Sequence, residues 1–430
     1  MKNAKIIEHT EIFEEKSNMA GSIKKEEIWR YRIMADQVMD STGELKDAAK
    51  LMGATEKKCP SCGAALEFNA AVGKLKCPFC DTEVDIPAAE KPAEDPEKPK
   101  KIVGVGQVQK EGAAEENELD LKKLESTGNR DWGTATKVFN CKYCGAEIVM
   151  DVNSLSTTCP YCGSNHVTEA TDDKGTLSPG GVVPFKITQP QASELFKKWI
   201  GAKLFAPNAA KKSAQPDAFQ GIYLPYWTFD AQTETDYKGE YGIERTEHYK
   251  DSDGKDQTRT VTDWYDTRGH HSEFIDDELV CASKNHTESF LKSIEPFDTA
   301  SNVVYSPEYL SGFLAERYTV PLEEGWYSAT KQIESHLRGA ICREIERNNN
   351  ADDSRVNSMQ VAYSKMTYKY LLLPVWMSSF TFNGKVFQFV VNGQTGKVGG
   401  KSPVSPIKVA IAIAIGIAIL VLLFIIFGNN

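Results

Sequence analysis

Residues 58–81 read KCPSCGAALEFNAAVGKLKCPFCD, and the four cysteines in that stretch set the reading of the whole front of the chain. Cys59-Pro60-Ser61-Cys62-Gly63 is followed, fourteen residues after Cys62, by Cys77-Pro78-Phe79-Cys80. Cys141-Lys142-Tyr143-Cys144-Gly145 is followed at the same interval by Cys159-Pro160-Tyr161-Cys162-Gly163. A Cys-x-x-Cys segment makes a tight turn whose backbone N–H groups point at the thiolates, and two such turns on adjacent hairpins complete a tetrahedral four-sulfur cage. The duplicated spacing therefore predicts two zinc ribbons, over 56–86 and 137–167, with Cys59, Cys62, Cys77, Cys80, Cys141, Cys144, Cys159 and Cys162 as ligands. Iron in a rubredoxin-like site uses the same ligands and stays open as the alternative metal. With four thiolates per site no position is left for water, so both metals are expected to be structural, and each small ribbon is expected to fold on binding its metal.

The rest of the cysteine inventory agrees. Of ten cysteines only Cys281 and Cys342 fall outside the four pairs, and this pattern in a 430-residue chain points to metal in a reducing compartment rather than to secreted disulfides. The N-terminus lacks an apolar leader. A formal net charge of −10 argues against a general affinity for phosphate backbones, and each four-thiolate zinc site makes it more negative by two. Within 56–86 four lysines face five acidic residues, and within 137–167 two lysines face Glu147 and Asp151, so nucleic-acid binding is possible but not favoured. Phe79, Tyr143 and Tyr161 could stack on bases or cap a protein partner equally well.

Beyond the ribbons, residues 1–55 form a polar extension with one predicted helix, Ile23–Met39, and 87–136 reads as a flexible charged linker. Residues 177–406 read as a β-rich α+β module. Strands are expected at Tyr237–Tyr249 and Arg259–Phe274 around the turn Ser252–Lys255, and at Gln360–Phe382 and Lys385–Val391 around Asn383-Gly384. Helices are expected at Gln191–Leu204, Pro307–Arg317 and Tyr327–Arg347, the last with Ile333, Leu337, Ile341 and Ile345 on one face. An internal duplication is suggested: Val183–Thr188 leads to Leu224-Pro225-Tyr226-Trp227, and Glu295–Thr299 leads to Leu373-Pro374-Val375-Trp376.

Val409–Phe427 is an unbroken apolar run, which predicts a transmembrane helix over 407–427. Lys397, Lys401 and Lys408 precede it, so the expectation is a tail-anchored, single-pass protein, partnered with the bilayer, whose soluble region faces the cytoplasm.

Catalytic signals are sparse. Gly400-Lys401-Ser402 lacks the earlier glycine of a phosphate loop, since position 395 is Thr, and Pro403 follows it. Cys281 could in principle pair with His270, His271 or His286, but reads first as a small buried side chain. Asp276-Asp277-Glu278 reads as a solvated acidic turn.

The twin ribbons, the Pro-Tyr-Trp and Pro-Val-Trp strands, the Val391–Lys397 turn and the apolar tail together resemble a bacterial membrane-protein family with zinc ribbons of the transcription-factor-B type. Its members are sometimes named after the primosomal replication helicase. The resemblance covers most of 56–427 and implies metal ligands and topology, but no helicase, whose motifs are absent from this chain. The expected function is a membrane-tethered zinc-ribbon scaffold that recognises a protein partner. A membrane-anchored nucleic-acid-binding protein and a cysteine-dependent enzyme are the alternatives.

Overall fold

The computed structural model describes residues 58–86, 113–120, 132, 136–142, 146–151, 159, 167–169, 176–208, 210, 219–250, 252–285, 288–382 and 385–427. The extension 1–55 and its expected helix lie outside the described residues, as do His286 and the turn Asn383-Gly384.

Ribbon 1 is a small antiparallel sheet of β1 (Glu67–Asn69), β2 (Lys74–Lys76) and β3 (Glu83–Val84). Next come β4 (Asn117–Glu118), β5 (Thr136–Cys141), β6 (Glu147–Asp151), β7 (Val167–Glu169) and β8 (Gly181–Val182). Helix α1 (Gln189–Gly201) leads into the long hairpin of β9 (Gln220–Lys250) and β10 (Asp256–Cys281). After α2 (Glu288–Lys292), β11 (Val303–Val304) and β12 (Leu314–Glu316) comes the long helix α3 (Leu322–Asn349). The chain closes with β13 (Asp353–Phe382), β14 (Lys385–Asn392), β15 (Val398–Gly400) and α4 (Pro406–Phe427). All strands from β4 to β15 join one twelve-stranded sheet, in which β9 and β13 are the central antiparallel pair.

Two prolines stand in those central strands, where a missing N–H would ordinarily break a ladder. Pro225 sits where one edge of β9 changes partner, between the end of β10 at Tyr226↔Cys281 and the start of β12 at Tyr223↔Ala315. Pro374 sits where β13 changes from β8, paired at Leu372↔Val182, to β14, paired from Val375↔Asn392. At each proline no donor is required. The two Leu-Pro-x-Trp segments are also cross-strand partners of one another, through Leu224↔Leu373.

The hydrogen bonds around them repeat. Trp227 Nε1 donates to the Val320 carbonyl at 3.0 Å, one residue before the cap of α3, and Trp376 Nε1 donates to the Ile187 carbonyl at 2.8 Å, one residue before the cap of α1. The Ala282 carbonyl accepts from the N–H groups of Thr319 and Val320, and the Gly393 carbonyl accepts from those of Lys186 and Ile187. The module is thus two interlocked units of strand, helix, Leu-Pro-x-Trp strand and return strand, each holding the segment that leads into the other's helix. The counterpart of Val183–Thr188 is the segment 316–321, which enters α3, and not Glu295–Thr299.

The apolar faces bury Trp227, Tyr223, Phe185, Phe196 and Phe389 on one side and Ile222, Leu224, Leu371 and Val375 on the other. Near-continuous apolar runs of this kind suit strands covered on both faces. Beyond the shared core, β9, β10 and the start of β13 run on as a three-stranded arm. Helix α3 lies on one face of the arm, with Ile341 and Ile345 against Tyr237 and Val356.

Several expectations are corrected. Pro307–Arg317 is a single 3-10 turn, Pro307–Leu310, followed by β12, because Gly312 at φ +84° ends the turn and redirects the chain. The linker 87–136 is partly built in: Ala114, Leu119 and Trp132 are buried, and β4 pairs with β13. Ribbon 2 contributes strands to the main sheet, since β6 hydrogen-bonds to β12.

The transmembrane helix expected over 407–427 is also corrected. Helix α4 forms, with Ile411, Ile413, Ile415 and Ile417 exposed, but among the described residues no helix is long and apolar enough to cross a membrane. The bilayer partner, the tail-anchored class and the single-pass membrane location fall with it.

Candidate metal centre

Ribbon 1 brings Cys59, Cys62, Cys77 and Cys80 together, with sulfur atoms all within 4.8 Å of one another. Cys59 Sγ lies 3.3 Å from Cys80 Sγ, and Cys62 Sγ lies 3.5 Å from Cys77 Sγ. Each knuckle is closed by the same pair of backbone bonds. Cys59 N–H donates to the Ala64 carbonyl and Gly63 N–H to that of Cys59, while Cys77 N–H donates to Thr82 and Asp81 N–H to Cys77. Each turn takes a left-handed residue in fifth place, Gly63 at φ +75° and Asp81 at φ +59°.

Electrostatics favour a cation inside this cage. Burial pushes the Cys59 thiol up, but hydrogen bonds from the Ser61 and Cys62 backbone outweigh it and lower its pKa to about 6. The Cys62 thiol gains some relief from the Ala64 backbone, yet its neighbours Cys77 and Cys80 drive it up to about 12. Four sulfurs this close resist carrying four negative charges unless a metal ion shares them. The residues fit a tetrahedral thiolate-binding metal, two knuckles supplying two sulfurs each. Lys74 pairs with Asp85 and Lys76 with Asp81, both at 2.9 Å, so these ribbon lysines are matched within the ribbon.

The ribbon is docked on the body. Phe68 N–H donates to the Ser311 carbonyl at 3.0 Å, and the Phe68 ring packs 5.4 Å from Tyr309 and 6.2 Å from Phe313. Phe79, between the two cysteines of the second knuckle, is 80% exposed.

In ribbon 2 the structure buries Cys141 and Cys159 in one apolar cluster, and Cys141 N–H donates to the Ala146 carbonyl, the same closure as at Cys59 and Cys77. Cys144 and Cys162 lie outside the described residues.

A second convergence, Asp230, Asp276 and Asp277, was not legible in the sequence. Asp276-Asp277-Glu278 is not a solvated turn but a bulge within β10, with Asp277 at φ +51°. Asp277 N–H donates to Asp230 Oδ1 at 2.6 Å, and Thr299 Oγ1 donates to Asp277 Oδ2. The cation of this group is Lys369, whose Nζ lies 2.7 Å from Asp277 Oδ1, 3.4 Å from Glu116 Oε1 and 4.0 Å from Asp230 Oδ2. Burial pushes the Asp230 carboxyl up to about 6, against the pull of Lys369. The Glu116–Lys369 contact also fastens the segment before ribbon 2 to the core.

Cys281 ends β10, and His270 and His271 lie about 30 Å back along the same strand. Both histidines pair with carboxylates instead.

No family model matches the chain, and no solved structure matches it. The chain is 27% identical over 359 residues to the uncharacterized protein YdjG of Bacillus subtilis (strain 168), covering 82% of this chain and 91% of that protein. The similarity covers most of both chains, and it assigns no activity.

Proposed function

We propose that the chain is a zinc-ribbon scaffold that recognises another protein, with one structural Zn²⁺ on Cys59, Cys62, Cys77 and Cys80 and a second on Cys141, Cys144, Cys159 and Cys162. The observation that carries the reading is Phe79: a large aromatic side chain held out in solvent by a knuckle whose neighbouring lysines are already neutralised. Exposed aromatics on rigid supports anchor protein interfaces, whereas phosphate recognition needs unmatched basic groups. Four thiolates close the coordination sphere, so the metal supplies rigidity rather than a bound water for catalysis. Iron is the rival occupant of the same cage.

The test is site-specific photo-crosslinking from position 79 in the native cell. The reading predicts a discrete protein adduct that disappears in Cys59→Ser. Adducts to nucleic acid alone, or no adduct, contradict it.

A further inference from the structure

A chain of alternating acids and imidazoles ties helix α3 to the arm. Glu344 Oε2 lies 2.7 Å from His271 Nδ1, His271 Nε2 lies 3.2 Å from Glu273 Oε2, and Glu273 Oε1 lies 2.9 Å from His336 Nε2. Glu344 and His336 belong to α3, two turns apart, and His271 and Glu273 belong to β10. Both ring nitrogens of His271 thus face carboxylate oxygens. A neutral imidazole has one N–H and can donate only once, so only the doubly protonated ring satisfies both contacts. In the neutral ring one nitrogen lone pair faces a carboxylate, and the contact turns repulsive.

We propose that Glu344, His271, Glu273 and His336 form a pH-operated latch, which holds α3 against the arm while His271 carries both protons and loosens the helix when one is lost.

The other groups at this junction are few. The Tyr237 phenol on β9 lies near Glu344, and the Glu278 carboxyl on β10 lies near His336. On α3 the Glu334 carboxylate acts on Tyr363 of β13, and Arg338 donates to the Val356 carbonyl. From β13 the facing side chains are Met359, Val361 and Tyr363, none of them charged near neutral pH. Within β9, Thr235 stands directly across from His271 with its hydroxyl buried.

The direction of the effect follows from the two ends of the chain. Burial pulls the His271 ring toward neutrality, but Glu273 and Glu344 outweigh it, and its pKa is raised above the ordinary 6.5. A raised histidine stabilises fully below the ordinary value and loses that contribution as pH climbs through the raised one. Burial likewise pushes Glu273 up, but His336 and His271 outweigh it and hold it below the ordinary 4.5. That contribution is present above the ordinary value and fades only in stronger acid. The latch is therefore closed from about pH 4.5 to 6.5 and opens on the alkaline side. His270 is the built-in control, because the next residue of a strand points to the opposite face and its partners, Asp236 and Glu234, both lie on β9.

The test is hydrogen exchange of the full chain at about pH 6 and about pH 8.5, corrected for the intrinsic exchange rate, and read over 331–349. The latch predicts that protection there falls by about five-fold or more on going alkaline, since one pH unit past a titration shifts the population ten-fold. His271→Gln should flatten that dependence and His270→Gln should leave it intact. Glu344→Gln, which keeps the side chain's size, should move the midpoint to lower pH, and so serves if His271→Gln does not fold. Protection that ignores pH in the unmodified chain, or an unchanged midpoint in Glu344→Gln, overturns the proposal.

Discussion

At the residue scale the least expected feature is Lys369, 5% exposed and surrounded by Glu116, Asp230 and Asp277. Removing a buried partner strands the opposite charges, which costs about 3–5 kcal/mol. Lys369→Met should lose stability of that order, as measured by denaturant unfolding near neutral pH. Asp230 sets the pH dependence: its folded pKa is raised to about 6, so the native state binds that proton more tightly than the unfolded chain and gains stability as pH falls through about 6. The Lys369→Met deficit should accordingly shrink at about pH 5 and be largest at about pH 8. No local pattern announces this site. Asp276-Asp277-Glu278 reads as a surface turn because the sequence cannot show the bulge that turns Asp277 inward, and Glu116 arrives from a segment of linker-like composition. The cysteines of ribbon 1 are the opposite case: their spacing names the four that converge, because each knuckle is a local structure closed by bonds within six residues.

Among the elements, α3 was legible from Ile333, Leu337, Ile341 and Ile345, all of them buried. It begins earlier than its apolar repeat, at Leu322, just after the Val320 carbonyl that Trp227 holds from outside. The Leu-Pro-x-Trp repeat was visible as a motif, but its meaning lay in which strands change partner at each proline, which is a property of the sheet. Gly393 shows how tightly the two copies interlock: a Cβ there would lie 2.5 Å from Phe185 Cδ1 and 2.9 Å from Pro374 Cβ. Gly393→Ala should therefore force the Phe185 ring out of its stack with Phe313 and destabilise the module by about 1–3 kcal/mol. A thermal unfolding midpoint within a degree of the unmodified chain would contradict that packing. The helix expected at Pro307–Arg317 failed for a local reason, since its composition suits a helix but Gly312 turns the backbone left-handed.

For the whole molecule, ribbon 1, the duplicated module and the arm form a series of dependences. The ribbon has too small an apolar core to fold unaided, with Leu66, Phe68 and Leu75 as its buried side chains besides the cysteines. Metal should set whether Phe68 reaches Tyr309 and Phe313, so chelation should undock the ribbon and expose that aromatic edge of the body. Ribbon 2 differs, because β5 and β6 remain in the main sheet through β12, and chelation should loosen its knuckles without releasing its strands. The apolar tail shows the limit of reading hydropathy alone: α4 forms as its composition requires, yet no described helix meets the length and apolarity needed to cross a bilayer. The most direct test of the account is elemental analysis of the purified chain beside Cys59→Ser. Two zinc ions per chain, falling to one in the variant while the main sheet stays folded, is the predicted result. Iron in place of zinc, no bound metal, or a metal content indifferent to Cys59→Ser would contradict it.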